Sequence, residues 1–290
     1  MKEKGLLAMT TMFLLCCMCV SCDSRNSKKD GSSDTAIVAP PTKLTESPLN
    51  ISVFLDLSDR ITRDMTPSQM SRDTAIVGYL ADYFKSQTLG PKILKSKNNM
   101  KVFFYPTPEI SEIATLAEDL SVDMMDYQGK GKREALESMK KKFQDNLSVI
   151  YEKTLQTGKY PGCDIWDFFS SKKVDAQCMR EGCRNILVII TDGYLFDENH
   201  KIQEGDAYSY VTTSTLKNPK SSLIVKREGL ENLEVRILEV NPYDINHRDQ
   251  LETVLENWLI GMGVKKENIT IAETSLPTDT RTIMKSFLNE

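Results

Sequence analysis

The run Ile186-Leu187-Val188-Ile189-Ile190 contains no polar residue, and every member except Leu187 is β-branched. A strand of that kind has to be covered on both faces, which places it at the centre of a mostly parallel sheet with helices above and below. It closes on Thr191-Asp192-Gly193. A second near-continuous run, Ile51-Ser52-Val53-Phe54-Leu55-Asp56-Leu57, stops at the polar cluster Ser58-Asp59-Arg60. Between and beyond these runs the chain alternates amphipathic stretches with further apolar segments, which predicts an α/β fold: a doubly wound, Rossmann-type sheet with helices on both faces.

Thr66-Pro67-Ser68-Gln69 predicts a helix start, with Thr66 as N-cap and Pro67 at the first helical position, followed by a stripe of Met70, Val77, Leu80 and Phe84. Val102 to Tyr105 reads as the second strand, and Leu120 to Met124 as a brief edge strand. Leu136, Met139, Phe143, Leu147, Ile150, Tyr151 and Leu155 mark one long helix from Lys132 to about Gln156, and Lys140-Lys141-Lys142 is its solvated face. Asp164 to Lys172 resumes a helical pattern after Gly158, Pro161 and Gly162. Leu233 to Val240 and Ile269 to Ala272 complete the strands, followed by a helix through Leu251, Val254, Leu255, Trp258, Leu259 and Met262 and a closing helix over Thr278 to Leu288. The stretches near 126–160 and 194–228 read as insertions into this scheme.

Charge and composition remove several function classes. With 37 Lys plus Arg against 41 Asp plus Glu and no basic block, the chain offers no surface for nucleic acid. His200 and His247, the only histidines, read as exposed loop residues and leave little room for a His-based zinc site or triad. Gly129-Lys130-Gly131-Lys132 lacks the spacing and the preceding strand of a phosphate loop and reads as a turn. Gly-x-Ser-x-Gly is absent, so Ser58 has no nucleophile-elbow context.

Four of the seven cysteines, Cys16, Cys17, Cys19 and Cys22, crowd the first 22 residues. Lys2 and Lys4 precede an uncharged, mostly apolar stretch from Gly5 to Val20, the layout of a secretory signal and too short for a well-anchored span. Its end, Cys19-Val20-Ser21-Cys22, resembles the bacterial lipobox, with Cys19 where that motif usually has Leu. The resemblance implies cleavage after residue 21, a diacylated Cys22, and attachment to an envelope membrane, expected to be the outer membrane of a Gram-negative bacterium. Each buried acyl methylene contributes about 0.8 kcal/mol to such an anchor. Residues 22–48, rich in Ser, Lys, Asp and Pro, read as a flexible tether ahead of an α/β domain at 49–290. Secretion makes a disulfide between Cys178 and Cys183 the expectation, closing a short loop worth about 2 kcal/mol, with Cys163 apart; two unpaired thiols are the rival reading.

The order of the motifs carries a further resemblance. An apolar strand ending in Asp56-x-Ser58, a turn into a helix at Gly162-Cys163-Asp164-Ile165-Trp166, and an apolar strand ending in Thr191-Asp192-Gly193 together resemble a von Willebrand factor A domain across most of residues 50–290. In that family these loops meet at the carboxyl edge of the sheet and form a metal-ion-dependent adhesion site. The resemblance therefore implies Mg2+ ligation by Asp56, Ser58 and Asp192, with Asp59 or Asp164 as substitute oxygen donors. Arg60 stands where the family has a second Ser, and Cys163 where it has Thr. A guanidinium repels a hard cation and a thiol is a poor ligand for it, so the site reads as degenerate. Two geometries remain open. Either Arg60 lies between Asp56 and Asp192 in place of the metal, or it points to solvent and an oxygen shell forms around Mg2+.

The resulting expectation is a lipid-anchored envelope protein that binds an envelope or extracellular protein partner through a rim of Asp56, Ser58, Asp59, Arg60, Cys163, Asp164 and Asp192. It is expected to need no metal and to catalyse nothing. The alternatives are an envelope metal-dependent hydrolase using Asp56 and Asp192, and a purely structural envelope subunit.

Overall fold

The computed structural model describes residues 47–194, 227–242 and 248–288. The expected signal segment, Cys22, the tether up to residue 46, His200, His247 and residues 195–226 of the expected second insertion lie outside the described residues. In chain order the described elements are β1 (Leu49–Leu55), α1 (Gln69–Thr88), β2 (Asn99–Phe103), α2 (Ser111–Glu118), β3 (Ser121–Asp123), α3 (Lys130–Thr157), α4 (Ile165–Ser170), α5 (Lys173–Cys178), β4 (Arg184–Ile190), β5 (Leu233–Val240), α6 (Arg248–Gly261), β6 (Ile269–Glu273) and α7 (Pro277–Leu288). A short 3-10 turn, Asp59–Thr62, follows β1, and two more cover Ile93–Lys95 and Lys266–Asn268.

The strands form one sheet in the order β3-β2-β1-β4-β5-β6, parallel except for the edge strand β3. This is the expected α/β architecture. The two apolar runs are its centre: β1 and β4 pair in register from Leu49 opposite Arg184 to Leu55 opposite Ile190. Successive strand residues face opposite ways. Ile51, Val53 and Leu55 with Ile186, Val188 and Ile190 therefore enter one core, under α1, α3 and α7, while Phe54 with Leu187 and Ile189 enters a second, under α4, α5 and α6.

Several boundaries differ from the sequence reading. Helix α1 starts two residues late, because Ser68 rather than Thr66 is the N-cap and its Oγ accepts from Ser71 N at 3.3 Å. Strand β2 begins at Asn99, where the Asn99 amide donates to Asn50 Oδ1 at 2.8 Å and the Asn50 amide to Asn185 Oδ1 at 2.7 Å, extending three strands with a buried polar ladder. The stretch 126–160 contains α3, which is a covering helix of the sheet: Leu136, Met139, Phe143, Leu147, Ile150 and Tyr151 are all buried in the first core. Leu155, at the end of the expected stripe, is exposed. Lys140 and Lys142 pair with Asp82 at 2.6 Å and Asp119 at 2.8 Å on the solvated face.

The expected disulfide is not formed. Cys163, Cys178 and Cys183 are free thiols. Cys178 ends α5 inside the second core, where burial pushes its thiol up to about 12, with Ser52 beside it. Cys183 is half-exposed and faces Arg180 and Asp123. The turn between them is closed by a side chain instead: Asn185 Oδ1 accepts from Arg180 N at 2.9 Å and Asn185 Nδ2 donates to Arg180 O at 3.1 Å.

Candidate functional site

From β1 the strand order runs outward one way through β2, and from β4 the other way through β5, so the carboxyl ends of β1 and β4 flank the switch point where open α/β sheets bind ligands. Asp56 follows β1 there and Thr191-Asp192 follow β4, with Asp56 N bonded to Ile190 O at 3.0 Å. Asp56, Arg60 and Asp192 are buried, as are Cys163 and Asp164 from the α3–α4 connection; Ser58 is half-buried and Asp59 exposed. An antiparallel bridge between Leu57 and Gly162 brings that connection against the β1 loop. The rim residues expected from the sequence thus belong to one region. Gly193 turns the chain at φ +95°, where a Cβ would also press Val240 at 3.2 Å.

Arg60 faces inward, but it does not lie between Asp56 and Asp192. The 3-10 turn rolls its side chain beneath the rim, leaving it 1% exposed. Nη2 donates to Asp73 Oδ2 at 2.6 Å and to Ile190 O at 3.3 Å. Nε donates to Asp56 O at 3.1 Å and lies 3.5 Å from Asp56 Oδ2. Asp73, on α1, also accepts from Gln69 Nε2 at 2.8 Å and from the Tyr151 hydroxyl of α3. Burial alone would lower the Arg60 pKa, but Asp73, Tyr151 and Asp56 outweigh it and hold the guanidinium more firmly protonated than an ordinary arginine. Burial and Asp73 likewise push the Tyr151 phenol well up, so it stays a donor.

The cation that meets Asp192 is Arg63, the residue that caps the 3-10 turn. Arg63 Nη2 bonds Asp192 Oδ2 at 2.9 Å, and Nη1 bonds Asn241 O. Asp192 Oδ1 accepts from Tyr194 N at 3.1 Å. Burial, then the nearby Asp56, raise the Asp192 carboxyl to about 7 against the opposing pull of Arg63. The site therefore gathers Asp56, Asp73 and Asp192 around two guanidiniums, and Asp192 is the carboxyl that takes up a proton near neutrality.

These residues do not fit Mg2+. Asp56 Oδ1 accepts from Ser58 N at 2.7 Å and Oδ2 from the Thr191 hydroxyl at 2.8 Å, so both oxygens already have donors beside the Arg60 charge. Both Asp192 oxygens are engaged as well. The Cys163 thiol is buried, with its pKa driven well up by burial and then by Asp56. Of the substitute donors, Asp164 caps α4, its Oδ1 accepting from Asp167 N at 2.7 Å, and Asp59 faces solvent. Among the described residues no group of three His, Cys, Asp or Glu side chains is placed to hold a metal.

Sequence reading missed Asp73, Tyr151, Gln69 and Arg63. A signal for Asp73 was present: it falls on the helical stripe of Met70, Val77, Leu80 and Phe84, and an acid on an apolar stripe requires a buried partner. Tyr151 gave no signal beyond that of a core residue, because nothing local distinguishes a phenol that bonds a buried carboxylate.

No protein-family profile and no curated protein sequence matches the chain. Solved structures to which it is similar include an aerotolerance-related membrane protein from Bacteroides fragilis NCTC 9343, at 14% identity over 83% of this chain and 98% of that one, TM-score 0.37. The conserved hypothetical protein BatB from Bacteroides thetaiotaomicron shows 12% identity over 83% and 100% of the two chains, TM-score 0.38. The pilus adhesin SpaC from Lactobacillus rhamnosus GG shows 11% identity over 85% and 30%, TM-score 0.42.

Proposed function

We propose that this chain is a lipid-anchored envelope protein whose α/β domain binds a protein partner at the rim where β1 and β4 end, with no metal in the bond. Arg60 and Arg63 take the place of the divalent ion in the von Willebrand factor A domains it resembles. The observation that carries this is the buried guanidinium of Arg60, 2.6 Å from Asp73 Oδ2 and 3.5 Å from Asp56 Oδ2, which supplies from within the chain the positive charge a metal would bring. A hydrolase is disfavoured by the same geometry, since Asp56 and Asp192 are 1% and 5% exposed with their oxygens hydrogen-bonded, leaving neither open to activate water.

The anchor rests on the lipobox-like Cys19-Val20-Ser21-Cys22. Fatty-acid analogue labelling should be lost in Cys22→Ala; label that persists refutes the anchor. For binding, the full chain serves as bait on detergent-solubilised membranes of its own cells, with and without a chelator, beside a variant, Tyr160→Glu, at a half-buried residue of the α3–α4 connection that lines the same surface groove as Ser58 and Asp59. A partner retained in chelator and lost with Tyr160→Glu is the expected result. A partner held only with a divalent ion, or held equally by the variant, overturns the reading.

A further inference from the structure

A groove of about 760 Å3 opens beside the buried cluster. It is lined by the β2–α2 connection from Pro106 to Ile110, by the α3–α4 connection from Gly158 to Gly162, and by Ser58 and Asp59. Ile113 and Thr154 lie at its base, both buried. The volume falls in the range of about 300–1,000 Å3 typical of sites that enclose a ligand.

From this groove we infer the charge of the partner: it takes an extended peptide segment carrying a Lys or Arg among apolar residues, the opposite of the acidic residue that completes a metal site. The inference rests on the rim-binding reading above and adds the chemistry of the occupant. Arg60 and Arg63 pair with Asp73, Asp56 and Asp192, the one Arg60 donor without a partner, Nη1, is buried, and neither arginine lines the groove to receive an acid. The ionisable groups in the groove wall are Asp59, Glu109 and Lys159, all exposed. Among the described residues none of the three has an ion-pair partner, so the wall presents two unpaired carboxylates against one unpaired ammonium.

The helix ends at the groove do not reverse this balance. The carboxyl end of the 28-residue α3 brings partial negative charge, with no basic residue in its last turn and Lys159 just beyond. The amino end of the shorter α2 brings partial positive charge, which Glu109 and Glu112 meet, Glu112 being paired with Lys153 at 2.7 Å. Exposed charges of this kind contribute little affinity each. The proline, Ile110 and Tyr160 surfaces supply the contact area, while the carboxylates set register and reject acidic segments.

The test uses the full chain in detergent and an array of labelled decapeptides in which a central Lys, Arg, Glu or norleucine is flanked by varied apolar residues. Fluorescence anisotropy should show Lys and Arg peptides binding about tenfold or more tighter than their Glu counterparts, a preference that shrinks in about 0.5 M salt. Asp59→Asn with Glu109→Gln should bring basic and norleucine peptides to within about threefold of each other. Tyr160→Ala should weaken peptides of every charge alike. Equal or tighter binding of Glu peptides, a basic preference that survives the double variant, or an array in which nothing binds would each overturn the inference. Partner capture in chelator separates the two levels: capture that persists while the array fails leaves rim binding standing and removes the cationic segment, whereas capture that demands a metal removes the rim reading itself.

Discussion

Replacing Arg60 with Met keeps most of the side chain's length and removes its charge. The guanidinium is 1% exposed and bonds Asp73 Oδ2, Asp56 O and Ile190 O, so the variant leaves two buried carboxylates facing each other and the Asp56 carbonyl without a donor, while Ile190 O keeps its bond from Asp56 N. Removing one partner of a buried ion pair costs about 3–5 kcal/mol, because the remaining charge stays desolvated and uncompensated. In a domain of this size that lowers the melting temperature by about 10 °C, at about 2–4 °C per kcal/mol. Urea unfolding of the full chain, followed through the fluorescence of Trp258 buried against Phe169, measures the loss. Adding Asp73→Asn removes the charge that Arg60 had balanced, so the double variant should be more stable than the sum of the singles by about 1 kcal/mol or more. An Arg60→Met loss below about 1 kcal/mol, with additive singles, would refute the internal-cation argument.

Asp192 gives the pH dependence its sign. Its carboxyl rises from 3.8 to about 7 on folding. Between those values the folded chain holds a proton that the unfolded chain has released, so stability falls as pH rises from about 4 to about 7 and stays low above, by at most about 4 kcal/mol. Urea unfolding across pH 4–8.5 should show this fall in the native chain and not in Asp192→Asn, and equal slopes would count against it. Combining Arg60→Ser, Arg63→Ala and Cys163→Thr clears both guanidiniums and the thiol from the rim, and millimolar Mg2+ should then raise the melting temperature of the variant and leave that of the native chain unchanged. Native-chain stabilisation by Mg2+ of the same size would show that a metal fits after all. Mass mapping after alkylation should find Cys183 modified in the folded protein and Cys163 and Cys178 only after unfolding; a Cys178–Cys183 bridged peptide would reverse the assignment of free thiols.

Local pattern was enough to establish the sheet and much of the rim. The near-continuous apolar runs at 51–57 and 186–190 are incompatible with a one-sided strand, and the residues that follow a central strand must emerge at its carboxyl edge; that Asp56, Ser58 and Asp192 meet there was an expectation from the order of the motifs and the family it resembles. The long helix was legible in its stripe, although its place as a layer of the fold, packed on the sheet beside α1, was not. Tertiary structure decided the pairings. Arg60 and Arg63 lie three residues apart on one short turn, and either could reach Asp56 or Asp192 until the turn's geometry sends one beneath the rim to Asp73 and the other across it to Asp192. Cys178 and Cys183 are neighbours in sequence, yet the end of α5 buries one thiol while the following turn leaves the other half-exposed. Periodicity reports which face a residue is on. Which of several buried charges it meets depends on distances of a few ångströms between elements far apart in the chain, and those are set only when the layers pack.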